Sequence, residues 1–241
     1  MIYPINTISD LMDFSKSFEG KTLNEINNEI KFKDNTSRII TKGTIGNFIE
    51  KDIFNIKKNS LAEPDIPSLN VEIKTVPLKY NKDRTKLSVK EPLSLNIINY
   101  SKEYKNTFKE SSIYKKNKKI LFFCYIHDKL KDRSNYIIKY VFLWEITDNV
   151  INELLPDYNK IIEKIKNGKA HEIHQTEHKY LTLCPKHNGD YKNPNDTKSK
   201  TKQPFSNVPA EIRAFRFKNK YMNLIIRRML GKEETMTGWK Y

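Results

Sequence analysis

Asp65, Glu72 and Lys74 lie close together in the chain, in the segments Pro64-Asp65 and Glu72-Ile73-Lys74. Residues two apart in a strand point the same way. The alternation Leu69-Asn70-Val71-Glu72-Ile73-Lys74-Thr75-Val76 therefore predicts a half-buried strand with Glu72 and Lys74 on one face and Val71 and Ile73 in the core. A carboxylate and an ammonium buried side by side cost stability unless they pair or meet a ligand. Asp65, arriving from the preceding loop, would complete a two-carboxylate site for a hard divalent cation with oxygen ligands at a phosphate. Lys74 beside that cation would be suited to orient or deprotonate a water and to offset negative charge in the transition state. The competing reading of these residues taken bare is a surface ion pair, because such spacings arise by chance in a lysine-rich chain.

The elements that would position these groups are legible from periodicity. Ile45, Phe48, Ile49 and Ile53 recur at helical spacing, predicting a helix over 45–54 that places Glu50 at the border of its buried face. A loop follows over 60–67. Leu93 to Ile98 is expected as the hairpin partner of the Glu72 strand. The apolar runs 120–126 and 136–146 read as interior strands of one mixed sheet. Further helices are expected over 7–18, capped by Ser9 and stopped by Gly20, over 157–166, closed by Gly168, and over 221–230, which carries Arg227 and Arg228. Lys186 to Lys202, with five lysines and two aspartates, reads as a solvated, mobile, positive loop. The expected class is α/β, one domain or two lobes around a cleft.

Composition points to the partner. Of 241 residues, 44 are basic and 29 acidic, a formal charge of +15. Each phosphate neutralised by Lys or Arg releases condensed counterions, so nucleic acid is the favoured polyanion, with a basic amphipathic membrane binder as the competitor. No apolar run approaches the length of a membrane span, and the 13 Tyr, 12 Phe and 2 Trp argue for a real core rather than wholesale disorder. The start, Met1-Ile2-Tyr3-Pro4, carries no signal-peptide pattern. Cys124 and Cys184 are too few for a disulfide framework, so a cytoplasmic location is expected.

The D…E-x-K constellation is the arrangement of the PD-D/E-x-K nucleases. With Lys42-Gly43-Thr44-Ile45-Gly46-Asn47-Phe48-Ile49-Glu50 upstream and Thr75-Val76-Pro77-Leu78 closing the strand, the chain resembles the MutH/Sau-type family. Gly20 to Ile26 is similar to that family's opening helix-turn. Leu95 to Tyr100, Asn167 to Glu172 and Arg213-Ala214-Phe215 look closer to its restriction branch. The resemblance runs from about residue 7 to 230. It implies a restriction-endonuclease-like core, with a mixed central sheet flanked by helices and two lobes around a DNA-binding cleft. One domain over 1–241 is expected, with a catalytic lobe over roughly 20–135 and a recognition lobe over roughly 136–241 plus the N-terminal helix.

What the resemblance implies for chemistry is magnesium-dependent hydrolysis of phosphodiester bonds in duplex DNA, leaving a 5′ phosphate and a 3′ hydroxyl, with manganese tolerated. Asp65, Glu72 and the Ile73 carbonyl match its metal ligands, Lys74 its catalytic lysine, and Glu50 its additional active-site glutamate, placed for a metal-bound water or a second cation. Lys116 falls at a further functional lysine, amid Lys115, Lys118 and Lys119, whose alternative reading is a solvated basic turn. Tyr180 to Lys186 matches the segment leading to the base-reading loop, where the MutH branch has an arginine in place of Cys184. Lys186 is expected at base or phosphate, Lys198, Lys200 and Lys202 at phosphates, and Arg213 at either.

The expected function is type II restriction at GATC, against a MutH-like nickase or a non-catalytic DNA-binding module. With one D…E-x-K site visible and no second copy of the fold, either a homodimer on DNA or a missing C-terminal MutH-like domain is expected. His171, His174 and His178, with Cys184 and His187 nearby, have the spacing of a zinc site, but the expected reading is partly exposed histidines.

Overall fold

A computed structural model describes residues 5–34, 45–56, 63–193 and 195–231. Lys42, Gly43 and Thr44 of the upstream motif and residues 60–62 of the expected loop lie outside them. In chain order the helices are α1 (Ile8–Lys16), α2 (Leu23–Asp34), α3 (Ile45–Asn47), α4 (Tyr100–Glu103), α5 (Ser112–Asn117), α6 (Asp148–Lys166) and α7 (Asn219–Leu230). The strands are β1 (Val71–Tyr80), β2 (Leu87–Val89), β3 (Leu93–Ile97), β4 (Lys119–Ile126), β5 (Ile138–Glu145), β6 (Leu181–Pro185), β7 (Lys200–Thr201), β8 (Ala210–Glu211) and β9 (Arg213–Phe217). Contacts divide the chain into two units, one of Met1–Glu91, Lys118–Glu145 and Asn223–Tyr241, the other of Pro92–Asn117 and Ile146–Met222. The units interleave in sequence: β5 and α1 fall with the candidate catalytic strand, and residues 92–117 fall with the other unit.

The first unit carries a mixed sheet in the order β2-β1-β4-β5. β1 and β4 run parallel, from Val71 opposite Lys119 to Leu78 opposite Ile126, and β5 returns antiparallel on β4. Helices cover one face. Leu11 of α1, Leu23 and Ile26 of α2, and Ile45, Phe48, Ile49 and Ile53 form one buried cluster with Val71, Ile73, Leu121, Phe123 and Val141 of the sheet. α1 is capped by Thr7 rather than Ser9. The Thr7 Oγ1 accepts the Asp10 N–H at 3.1 Å and the Asp10 carboxylate accepts the Thr7 N–H at 2.9 Å, a reciprocal capping box. The helix expected over 45–54 is α-helical only to Asn47; Phe48–Ile53 is a π-helix, in which the Phe54 N–H reaches the Ile49 carbonyl. β1 has a different hairpin partner from the one expected. Leu87–Val89 pairs with Leu78–Tyr80, whereas Leu93–Ile97 joins the sheet of the other unit. The turn between β1 and β2 is closed by the Asn81 and Asp83 side chains accepting the Lys86 and Thr85 N–H groups, a short-range signal that outcompetes the longer apolar alternation.

The second unit holds an antiparallel sheet, β3-β9-β6, and the short pair β7-β8. α6 packs against β6 and extends nine residues N-terminal to the expected start, through Pro156. Both Pro156 and Asn152, whose carbonyl loses its partner to the proline, are exposed, so water meets the orphan acceptor. Asp157, buried on the same helix, accepts the N–H groups of Lys179, Tyr180 and Leu181 at 2.8, 2.6 and 2.9 Å and so fixes the start of β6. Gly168 closes α6 at φ +68°, where a Cβ would lie 2.4 Å from the Phe205 carbonyl oxygen, so a glycine is required there. The described residues of the 186–202 segment are largely turns and bends with most side chains exposed, and Lys200–Thr201 form β7.

Candidate active site

The loop carrying Asp65 is folded back on β1 by a tight turn. Ile66 and Val71 exchange both backbone hydrogen bonds, at 2.9 and 3.2 Å, around the 3₁₀ turn Pro67–Leu69. The turn needs a left-handed residue and has Asn70 there, at φ +54°, a type that tolerates this region better than most. Asp65 is thereby brought beside the middle of β1. Its Oδ2 accepts the Ile73 N–H at 2.9 Å, and its own N–H donates to Glu72 Oε2 at 3.2 Å. Lys74 Nζ donates to Glu72 Oε1. Thus the three residues read together from the sequence are joined by direct bonds.

Strand alternation also assigns the backbone. Each strand residue turns its N–H and C=O toward the same neighbouring strand. Val71 bonds to Ile66, the Ile73 N–H to Asp65, and the Pro77 carbonyl to the Lys90 N–H, all on the edge of β1 away from β4. The Ile73 carbonyl therefore shares the edge that Asp65 occupies. Pro77 is tolerated within β1 for the same reason, since its missing N–H faces this edge rather than the β4 ladder.

The faces of β1 are equally unlike. Val71 and Ile73 enter the helix-covered core. Glu72 and Lys74 align in register with Ile120 and Phe122 of β4, which align in turn with Trp144 and Phe142 of β5. Phe122 contacts both aromatic rings, with centroids 5.2 Å from Phe142 and 6.2 Å from Trp144. Glu72 is only 1% exposed, yet its carboxylate is satisfied by Lys74 and the Asp65 N–H at the end of this apolar row. Lys74, one fifth exposed, is the more open member of the pair. The aromatic wall escaped the sequence reading because 120–126 is apolar at every position and shows no period-two signal.

Glu50 lies in the π-helix, half-buried, and its carbonyl accepts the Ile56 N–H at 2.8 Å. Among the described residues no group of three or more His, Cys, Asp or Glu is arranged to hold a metal, so Glu50 does not join Asp65 and Glu72 in such a cluster. Lys116 lies in the last turn of α5, in the second unit, half-buried, while Lys115 is exposed. Lys118 and Lys119 belong to the first unit, Lys119 opening β4 opposite Val71.

A divalent cation fits the donor set that is present. Asp65, Glu72 and the Ile73 carbonyl are all hard oxygen donors, a set that suits magnesium better than zinc, and magnesium commonly keeps several waters or phosphate oxygens in its remaining positions. The Lys74 ammonium is the counter-ion of the buried Glu72 carboxylate, and a cation at Glu72 would compete with it for Oε1.

The expected DNA contacts divide by environment. Lys186, Lys198 and Lys202 are exposed. Lys200 donates to the Asn193 carbonyl at 2.7 Å. Arg213 is 11% exposed, with Nε on Glu211 at 2.8 Å and Nη1 on the Ile173 carbonyl, which commits its guanidinium inward. The histidines have separate partners: His171 meets Gln203 at 2.9 Å, His178 meets Thr182 at 3.2 Å, and His187 bridges the Gly189 carbonyl and Glu211, both at 3.0 Å. They form no zinc cluster, although His178 is buried rather than partly exposed. Cys184 is buried, 3.7 Å from the Ser94 hydroxyl. No described helix is long and apolar enough to cross a membrane.

Comparison with known proteins matches this frame. The family model described as DNA mismatch repair enzyme MutH matches residues 54–157, which include Asp65, Glu72, Lys74 and all of β1, β4 and β5. Type II restriction enzyme Sau3AI of Staphylococcus aureus is 35% identical over 223 residues, covering 91% of this chain. The chain spans 42% of that enzyme's length. The mixed α/β fold and the bonded Asp65, Glu72 and Lys74 arrangement agree with these matches, which support a MutH/Sau-type family for the chain.

Proposed function

We propose that the chain is a magnesium-dependent, sequence-specific endonuclease of duplex DNA. The observation that carries this reading is the bonding of Asp65 to both Glu72 and Ile73 on the open edge of β1, with Lys74 on the same carboxylate. Asp65, Glu72 and the Ile73 carbonyl would hold the cation, with manganese able to take the place of magnesium. Bound there, the metal supplies Lewis-acid polarisation of the scissile phosphate. Lys74, held beside the site by Glu72, would present its ammonium to the phosphate and offset the charge that develops during attack. The dry row of Ile120, Phe122, Phe142 and Trp144 keeps that electrostatic interaction strong by excluding water from one side. Glu50 orients the attacking water from the π-helix, and Lys116, in the second unit, contributes a phosphate contact.

The products carry a 5′ phosphate and a 3′ hydroxyl, and the preferred substrate is a GATC palindrome cut in both strands. Lys186, Lys198 and Lys202 supply contacts from the second unit, mostly to phosphates. If about six phosphates are neutralised, the log-log dependence of affinity on salt has a slope of roughly −5. Cutting both strands at a two-fold site calls for two catalytic units, so two chains meet on DNA or a second MutH-like domain works with this one. The reaction runs in the cytoplasm. A MutH-like nicking activity is the second reading, favoured by the family match over residues 54–157. Digestion of a supercoiled plasmid with and without magnesium tests the proposal. Linear product cut at one short sequence supports it; nicked circles alone support the second reading; tight binding without cleavage rejects both in favour of a non-catalytic DNA-binding module.

A further inference from the structure

The first unit contains a second charged feature, at the opposite end of β1 from Lys74. The β1–β2 turn and the end of β4 enclose an open pocket lined by Lys79, Lys82, Arg84, Lys90, His127 and Lys129. Five of these are cationic, against one lining carboxylate, Asp128. Asp128 lies 3.8 Å from Arg84, and Lys90 lies 3.5 Å from Glu91, so acidic neighbours offset only part of the charge. Both walls are pinned to β1: the His127 N–H donates to the Leu78 carbonyl and the Lys90 N–H to the Pro77 carbonyl, each at 2.8 Å. Arg84 also lies over the Tyr80 ring, 5.5 Å from its centroid. Cations converging on a concave, backbone-anchored surface repel one another and gain most from a shared anion.

We propose that this pocket is a second phosphate-binding site, which holds the backbone of duplex DNA flanking the cleavage site. Lys74 and Tyr80 are separated by six steps of β1, about 20 Å at strand rise. That span equals about six base-pair steps of B-DNA at 3.4 Å each, which exceeds half of any four-base site. The contact is therefore to backbone outside the recognised sequence and carries no base information. Lysines of differing reach around one ring-lined depression suit a phosphodiester rather than a single carboxylate. The flanking assignment rests on the endonuclease reading above, whereas the anion site itself does not.

His127 provides a reporter. Burial beside Lys90 and Lys129 holds its ring below the usual imidazole range, against a smaller opposing pull from Glu91. A phosphate in the pocket raises that value, which histidine-selective NMR of the whole chain reads, with His127→Gln supplying the assignment. Titration with inorganic phosphate is expected to move the His127 resonance in the wild type and not in Lys82→Ala/Lys129→Ala. The second arm measures binding, without divalent cations, of duplexes of about 10 and about 24 base pairs carrying the same central site. The wild type is expected to bind the longer duplex about tenfold more tightly, and the double variant to lose that increment. Its salt slope on the longer duplex should be shallower by about 2, roughly 0.9 per lost contact, with the shorter duplex unaffected. A His127 response to inorganic phosphate without a length increment overturns the DNA assignment and leaves a free-anion site. No response in either arm overturns the site. Failure of the wild type to bind either duplex overturns the flanking contact together with the endonuclease reading, while the phosphate arm still decides the anion site.

Discussion

Asp65 Oδ2 accepts the Ile73 N–H at 2.9 Å, so a loop carboxylate is held by the backbone of the strand that carries the other two groups of the candidate site. The bond satisfies an edge N–H of β1 and aims the carboxylate along the edge where the Ile73 carbonyl also lies. Asp65→Asn keeps an acceptor for that N–H and removes the charge. Its fold and denaturation midpoint are expected to match the wild type, while magnesium-dependent cleavage falls at least about 100-fold, the size of losing one transition-state electrostatic partner. Cleavage rates and circular dichroism on the same preparation check both halves.

Lys74 and Glu72 separate stability from chemistry in a different way. Lys74→Ala leaves the buried Glu72 carboxylate without its ammonium, and should cost about 1–3 kcal/mol in chemical denaturation at neutral pH. Glu72→Gln/Lys74→Met removes both charges and should recover most of that loss, because two neutral groups of similar volume need no counter-ion. Neither variant should cleave DNA. Recovery of cleavage along with stability would mean that the pair is structural.

A pH dependence follows from Glu103. Its carboxylate is buried, accepts the Ser112 N–H at 3.1 and 3.3 Å and the Tyr158 hydroxyl at 3.2 Å, and burial raises its pKa above the usual carboxylate range, outweighing these bonds. A raised carboxylate binds its proton more tightly folded than unfolded. Stability therefore falls as pH rises from the ordinary carboxylate value through the raised folded value, and levels off above it. Glu103→Gln, which keeps an acceptor for Ser112, should flatten this slope in denaturation measured between about pH 4.5 and 7. An unchanged slope would assign the dependence elsewhere.

Asp157 has a structural role. It accepts three consecutive backbone N–H groups at the entry to β6. Asp157→Ala leaves those donors without their acceptor and is expected to destabilise the chain by about 3 kcal/mol or more, with Asp157→Asn intermediate. Denaturation midpoints of the two variants decide the order.

These particulars show where the sequence was readable. The alternation around Glu72 and Lys74 is legible because a half-buried strand marks its two faces with different residue types, but the strand starts at Val71 rather than Leu69, since Pro67–Leu69 form a 3₁₀ turn and Asn70 takes the left-handed position after it. The pairing of β1 was not legible, since Leu93–Ile97 alternates as well as a hairpin partner does, yet finds β9 at long range; strand partnership is a tertiary choice. The π-helix at Phe48–Ile53 keeps an apolar spacing close to that of an α-helix, so periodicity alone does not reveal it. The expected helix over 157–166 is the C-terminal part of α6, whose first nine residues run through Pro156, tolerated at an exposed position. Residue type suggests Arg213 as a nucleic-acid contact, while its partners Glu211, two residues earlier, and the Ile173 carbonyl are contacts of the fold that residue type does not reveal.

The most direct measurement is digestion of plasmid DNA by the purified chain with sequencing of every cut end, with and without magnesium, alongside Asp65→Asn and Lys74→Ala. The account predicts ends at one short palindrome carrying 5′ phosphates, strictly magnesium-dependent, and absent with either variant. Cleavage that survives in either variant, or its absence from a folded, DNA-bound wild type with magnesium, would contradict it.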